Sequence, residues 1–218
     1  MKVKTKFKVA VGVVTLLLGT LSVQAQTLKE AMEAYNAAAK LDNAKNYQEA
    51  LKKYEEAISI YDELGDPTNQ YRLKAADRVP VLQYKYGLGL YKQKKFDETI
   101  KAFTTLEELA EKYNNEEYAK KAESIIPKLY YAKGKNLMDN GNNEGAIEAF
   151  NQAVPAYGMA YIRLAQIYSK QKDEEKFSEI VGKTMELNNS KLTGTAKKLA
   201  LSFYGKNAAA AVQANDFA

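Results

Sequence analysis

Apolar and small side chains recur along this chain in steps of three and four, separated by charged residues. Three stretches share one spacing: Ala50-x-x-x-Tyr54-x-x-Ala57, Thr99-x-x-x-Phe103-x-x-Leu106 and Ala146-x-x-x-Phe150-x-x-Ala153. The latter two are preceded by Tyr86-Gly87-x-x-Leu90 and Gly134-x-x-Leu137. Steps of three and four keep side chains on one stripe of a helix. The pattern therefore predicts pairs of antiparallel helices, each burying one stripe.

The units repeat. With Pro80 placed over Pro127 and read without gaps to Phe103 over Phe150, eight of 24 positions are identical, among them Leu82/Leu129, Tyr84/Tyr131, Gly87/Gly134 and Ala102/Ala149. A weaker fourth unit follows at Tyr161-x-x-Leu164-Ala165-x-x-Tyr168, with Phe177 and Val181 in its second helix. Units begin near residues 31, 80, 127 and 158. The residues between units, 65–79 and 113–126, are rich in helix formers and are expected to lengthen helices. Pro80 and Pro127 then fall inside long helices and remove a hydrogen bond each, or else each opens a new helix at its first position; the composition favours the first. Thr27 to Glu30 reads as a capping box opening the first helix, Gly65 to Thr68 as a stop and restart, and Asn140 to Asn143 as a turn.

These units resemble the tetratricopeptide repeat, whose first helix carries L-G-x-x-Y and whose second carries A-x-x-x-F-x-x-A. The family period is about 34 residues; two units here are longer and one is shorter. The resemblance implies an all-α fold, a right-handed superhelical α-solenoid of about four helix pairs over residues 26–204. A C-terminal capping helix from Ser190 to Tyr204 covers its open end, and 205–218 is expected as a loosely ordered tail. It also implies a concave groove lined by fixed positions of each first helix. Carried onto this sequence, those positions give Tyr35, Tyr84, Leu88, Tyr91, Lys92, Lys128, Tyr131 and Lys135 as the candidate partner-binding residues. Tyrosine suits such a surface, offering a broad ring and a hydroxyl handle; the alternative is that lengthened helices close the groove and the rings become core. The clamp that grips a peptide's terminal carboxylate is excluded, because Tyr35 and Ala39 stand where lysine and asparagine are needed.

Charge and composition narrow the function. Lys2, Lys4, Lys6 and Lys8 precede a thirteen-residue apolar stretch, Val9 to Leu21, and a small residue, Ala25. That is the layout of a secretion signal cleaved after Ala25; a membrane anchor wants about 20 apolar residues. The expectation is export to the periplasm or the medium, with no stable membrane insertion after cleavage. Without the signal's lysines the chain carries 28 basic against 27 acidic side chains, no footprint for nucleic acid. With no His and no Cys, the commonest general base, the usual zinc ligands and the thiol nucleophile are all missing.

Other motifs dissolve on inspection. Gly182-Lys183-Thr184 has Phe177 where a phosphate loop needs glycine, and Gly87-Leu88-Gly89 has Lys92 where a dinucleotide fingerprint needs its third glycine. A calcium loop over 140–151 would begin and end on asparagine, and the paired glutamates diverge around their helices. No cofactor or metal is expected. The sequence is read as an exported, non-catalytic scaffold or adaptor that binds a protein or peptide partner in the cell envelope. The alternative is a glycan or small-ligand binder using the groove tyrosines.

Overall fold

The computed structural model describes residues 25–215, and all its regular structure there is helical. The helices are α1 (25–43), α2 (Tyr47–Glu63), α3 (Gln70–Lys92), α4 (Phe96–Lys112), α5 (Glu116–Asp139), α6 (Asn143–Ala153), α7 (Met159–Gln171), α8 (Glu174–Glu186) and α9 (Ser190–Asn215). Residues 1–24, which hold the expected secretion signal, lie outside the described residues. Among the described residues no helix is long and apolar enough to cross a membrane.

Short connections make the hairpins. Seven of the eight turn through a single left-handed residue: Lys45, Gly65, Lys94, Asn114, Gly141, Lys172 or Asn188. Such a residue lets the last carbonyls of one helix be satisfied before the next begins. At Gly141, for example, its N–H bonds the carbonyl of Met138 at 3.1 Å while that of Asn142 bonds Leu137 at 2.9 Å. The residue after the turn often caps the next helix. Asn142 accepts from the Gly145 N–H at 2.9 Å and Asp173 from that of Lys176 at 3.0 Å, each satisfying an orphan donor of the first turn.

Pro80 and Pro127 both lie inside helices, α3 and α5, so the residues from 70 and from 116 onward are the lengthened N-terminal halves of those helices. One expectation is corrected: helix is already under way at residue 25, so Thr27 is an interior position and Thr27 to Glu30 does not open α1. α9 passes through Tyr204, where the sequence had set a boundary, and runs on to Asn215. Ala208, Ala209 and Ala210 supply the residue type of highest helix propensity there.

The chain divides into two compact units, one of residues up to 89 with 105–120, the other of 90–104 with 121 onward. The core of unit one joins Ala38, Ala50, Tyr54, Ile58, Val79 and Leu82, with Tyr35 and Tyr113 packed at its edge. Two ion pairs tie its helices: Arg78 to Asp42 at 2.6 Å, from α3 to α1, and Arg72 to Asp62 at 2.8 Å, from α3 to α2. Unit two is built around Phe150, Leu164 and Phe177, with α7 packed against α6, α8 and α9.

The spacing that announced the second helices is what they bury. Ala50/Tyr54/Ala57, Thr99/Phe103/Leu106 and Ala146/Phe150/Ala153 are all buried, and α8 repeats the register with Phe177/Val181/Thr184. The two threonines hold buried hydroxyls without cost to the core, because each donates to the carbonyl four residues back, Thr99 to Lys95 at 2.6 Å and Thr184 to Ile180 at 2.7 Å.

Candidate functional site

α5 presents Lys128, Tyr131, Ala132, Lys135, Asn136 and Asp139 in steps of three, one and three, a single helical face. That face forms one wall of a cleft of about 430 Å³ in unit two, closed by Tyr91 from the end of α3, Phe96 from the start of α4 and Tyr157 from the α6–α7 connection. The volume lies within the usual range for ligand sites, roughly 300–1,000 Å³.

Packing beneath the wall fixes its side chains. Gly134 sits on the opposite side of α5, and a β-carbon there would stand 2.7 Å from the Phe150 ring; glycine lets α6 come this close. Tyr131 rests on Phe150, with ring centres 5.7 Å apart, and meets Tyr157 edge-on at 4.9 Å. Its hydroxyl accepts from Arg163 Nε at 3.2 Å, and Arg163 in turn donates to Gln166 at 2.9 Å. Tyr91 is the outermost ring, 42% exposed, and packs edge-on against Phe96 at 6.1 Å.

The charges are sorted. Lys133, one turn from the wall, pairs with Asp97 of α4 at 2.5 Å, which neutralises it and ties α5 to α4. Lys128 and Lys135 are exposed and, among the described residues, form no ion pair. Asp139 closes the far end of the same face. The arrangement is a concave aromatic floor with two unpaired cations above it and one anion at its end, suited to binding an extended or helical segment of mixed polarity. It lacks any paired acid and base.

Of the eight residues singled out in the sequence, Tyr91, Lys128, Tyr131 and Lys135 line this cleft. Lys92 is exposed beside Tyr91 and does not line it. Tyr35, Tyr84 and Leu88 belong to unit one. There Tyr35 is wedged edge-on between Tyr54 at 5.5 Å and Tyr71 at 5.2 Å, while Tyr84 packs against Tyr118 at 5.6 Å; Leu88 is half-buried. Phe96, Ala132, Asn136, Asp139 and Tyr157 were not among the eight. The periodicity of α5 could have supplied Ala132 and Asn136, but Tyr157 sits in a non-helical connection where no period points to it.

Residues 127–154, α5 from Pro127 with all of α6, match the family model described as tetratricopeptide repeat. A TPR repeat-containing protein of Methanocaldococcus jannaschii is 38% identical over 89 residues, which are 38% of this chain and 16% of that protein; the chain thus spans a small fraction of this relative's length. Among solved structures, BtubC from P. vanneervenii covers 80% of this chain and 65% of its own at 14% identity with a TM-score of 0.28. A Podosopora anserina chain of nearly identical TPR-like repeats covers 87% and 93% at 14% identity with a TM-score of 0.30. Superpositions this loose carry no argument. The buried A-x-x-x-F-x-x-A register of the second helices agrees with the matched third pair: residues 127–154 form a tetratricopeptide repeat, and the other helix pairs resemble it.

Proposed function

We propose that the chain is an exported adaptor that binds a protein or peptide segment in the α5 cleft of unit two and has no catalysis of its own. The carrying observation is the α5 face, on which Lys128, Tyr131 and Lys135 meet Tyr91 and Tyr157 around one concavity. Tetratricopeptide repeats generally serve protein interaction, which supports the class of partner. The basic and apolar layout of residues 1–21 supports export to the envelope or beyond. A peptide is favoured over a glycan because the rings meet edge-on, Tyr131 and Tyr157 at 63° and Tyr91 and Phe96 at 75°, and so frame a trough for side chains instead of offering one flat platform to a sugar.

The test is capture from envelope extract by the wild-type protein and by the Lys128→Glu/Lys135→Glu double variant, which alters exposed positions only. The expected result is a partner retained by the first and lost by the second. Equal capture by both overturns the assignment of the cleft, and stabilisation by glycans in a thermal-shift screen with no captured protein would overturn the class of ligand. N-terminal sequencing of exported material is expected to begin at Gln26; a start at Met1 overturns the cleaved signal.

A further inference from the structure

α9 of unit two carries two apolar stripes. The first, Leu192, Ala196 and Phe203, is buried against the core. The second runs along another side through Leu201, Tyr204, Ala208 and Val212, in steps of three and four, and it faces outward: Leu201 is 76% exposed and Val212 60%. Large exposed apolar patches mark interaction sites.

The stripe also has relief. Met185 of α8 with Lys197, Ala200, Leu201, Tyr204 and Gly205 of α9 line a hollow of about 460 Å³. Tyr204 is held at its edge by Phe203 at 5.3 Å and Phe177 at 6.0 Å. Gly205 is a helix-interior glycine, which costs about 1 kcal/mol relative to alanine. Among the described residues nothing beyond its chain neighbours and its own helix backbone lies within 4 Å of where its β-carbon would be, so packing there does not call for glycine. Its effect is to leave the hollow open beside Tyr204.

Charge selects the occupant. α9 carries Lys191, Lys197, Lys198 and Lys206, and no acidic residue from Ser190 to Asn215. A second copy would bring an equally basic helix to the same face and be repelled. A concave hollow receives protruding side chains, which a helix supplies and a bilayer surface does not. We propose that the second stripe of α9 docks an acidic amphipathic helix of a partner protein, whose apolar knobs enter the hollow beside Tyr204 while its carboxylates meet Lys197 and Lys198. Helix-in-groove recognition of this kind reads anchors at steps of three and four, and flanking charges set preference and association rate.

The experiment uses the full mature chain and three synthetic 18-residue helical peptides of identical leucine stripe with flanks of glutamate, glutamine or lysine, with binding followed by fluorescence anisotropy. The glutamate peptide is expected to bind at least tenfold tighter than the lysine one, and the gap to narrow at high salt as the charges are screened. Leu201→Asp is expected to weaken binding at least tenfold. Gly205→Leu is expected to do the same by filling the hollow while leaving the melting temperature equal or higher, which separates lost docking from lost folding. The cleft variant Lys128→Glu/Lys135→Glu is expected to bind the glutamate peptide as the wild type does, so the two surfaces fail independently. Equal binding of the three peptides, no binding of the glutamate peptide, or its undiminished binding to Gly205→Leu overturns the proposal. So does Leu201-dependent binding to phosphatidylglycerol vesicles, or Leu201-dependent self-association in sedimentation, in place of peptide binding.

Discussion

The tyrosines packed against α1 in unit one and those around the α5 cleft of unit two do opposite jobs. In unit one Tyr54 and Tyr61 are buried, and Tyr35 completes an edge-to-face cluster with Tyr54 and Tyr71. In unit two Tyr91, Tyr131 and Tyr157 stand around an open cleft. The cause is what the neighbouring helices offer. α1 turns a face of Ala31, Ala34 and Ala38 inward, all buried, so the volume of that core must come from the rings of α2 and α3. In unit two Phe150, Phe177 and Leu164, with Tyr161 and Tyr168 of α7, already fill the interior, and Tyr91, Tyr131 and Tyr157 are left to the rim of the cleft. A tyrosine's role is thus set by the size of the residues opposite it and not by its place in the repeat.

The widest expected gap follows directly. Removing a core ring leaves a cavity, so Tyr54→Ala and Phe150→Ala should each cost about 3–5 kcal/mol. Tyr91→Ala, at a rim position, should cost under about 1 kcal/mol while abolishing partner capture. Urea unfolding of the three variants measures this; a Tyr91→Ala cost equal to that of Tyr54→Ala would collapse the contrast between the units.

A second effect concerns how close α5 approaches α6. Gly134→Leu drives side-chain atoms into the Phe150 ring, which already stands 2.7 Å from the position of a β-carbon, and overpacking of this kind costs about 1–3 kcal/mol or more. Gly141→Leu meets nothing within 4 Å but forces leucine to φ +83°, a strain of roughly 1–2 kcal/mol. The expected order of melting temperatures is wild type, Gly141→Leu, Gly134→Leu. Reversal would place the tight contact at the turn instead of in the wall behind the cleft.

The ion pairs of unit one should give a smaller effect. Hydrogen bonding to Asp42 raises the Arg78 pKa, as that to Asp62 raises Arg72, so both guanidiniums stay charged. Asp42 is largely buried, whereas Asp62 is open to solvent. Asp42→Ala is therefore expected to cost about 1–2 kcal/mol by leaving Arg78 without its acceptor, and Asp62→Ala under about 1 kcal/mol. Melting temperatures of the two variants in low and high salt check the order, the Asp62 effect fading first.

What the sequence disclosed, and what it withheld, follows the same physics. The second helices were readable because Ala50/Tyr54/Ala57 and its two counterparts face inward everywhere they occur. The long helices were readable because 70–79 and 116–126 hold good helix formers, and proline within them shifts an axis without ending it. The turns at Gly65 and Gly141 were readable, but three others were opaque: lysine occupies the left-handed position at Lys45, Lys94 and Lys172, where propensity points to glycine or asparagine. The cleft was half readable, since α5 supplies a periodic face while Phe96 and Tyr157 come from the ends of elements. Carrying groove positions over from the repeat could not reveal that Tyr35 is wedged between Tyr54 and Tyr71, which is a matter of tertiary volume.

The smallest effect is also the sharpest test of the tyrosine core. If Tyr61 is there for its ring, its hydroxyl is a burden: it is buried with no hydrogen-bond partner among the described protein groups, and an unsatisfied buried polar group costs about 1–3 kcal/mol. Tyr61→Phe keeps the ring and should leave the protein equally stable or up to about 1 kcal/mol more stable at neutral pH. The alkaline limb adds a signature. Burial raises the Tyr61 and Tyr54 pKa above the ordinary 10.0. Around and above that value the unfolded chain releases these protons while the folded one holds them, so folding stability is whole below about pH 10 and falls as pH rises toward the folded-state pKa. A phenylalanine ring has no proton to release, and the advantage of Tyr61→Phe over the wild type should therefore grow between pH 9 and about pH 11, as read by urea midpoints at each pH. A loss of 1 kcal/mol or more at pH 7 would mean that the hydroxyl is satisfied and holds unit one together, and the tyrosines of that core would then be chosen for their polar tips as well as for their volume.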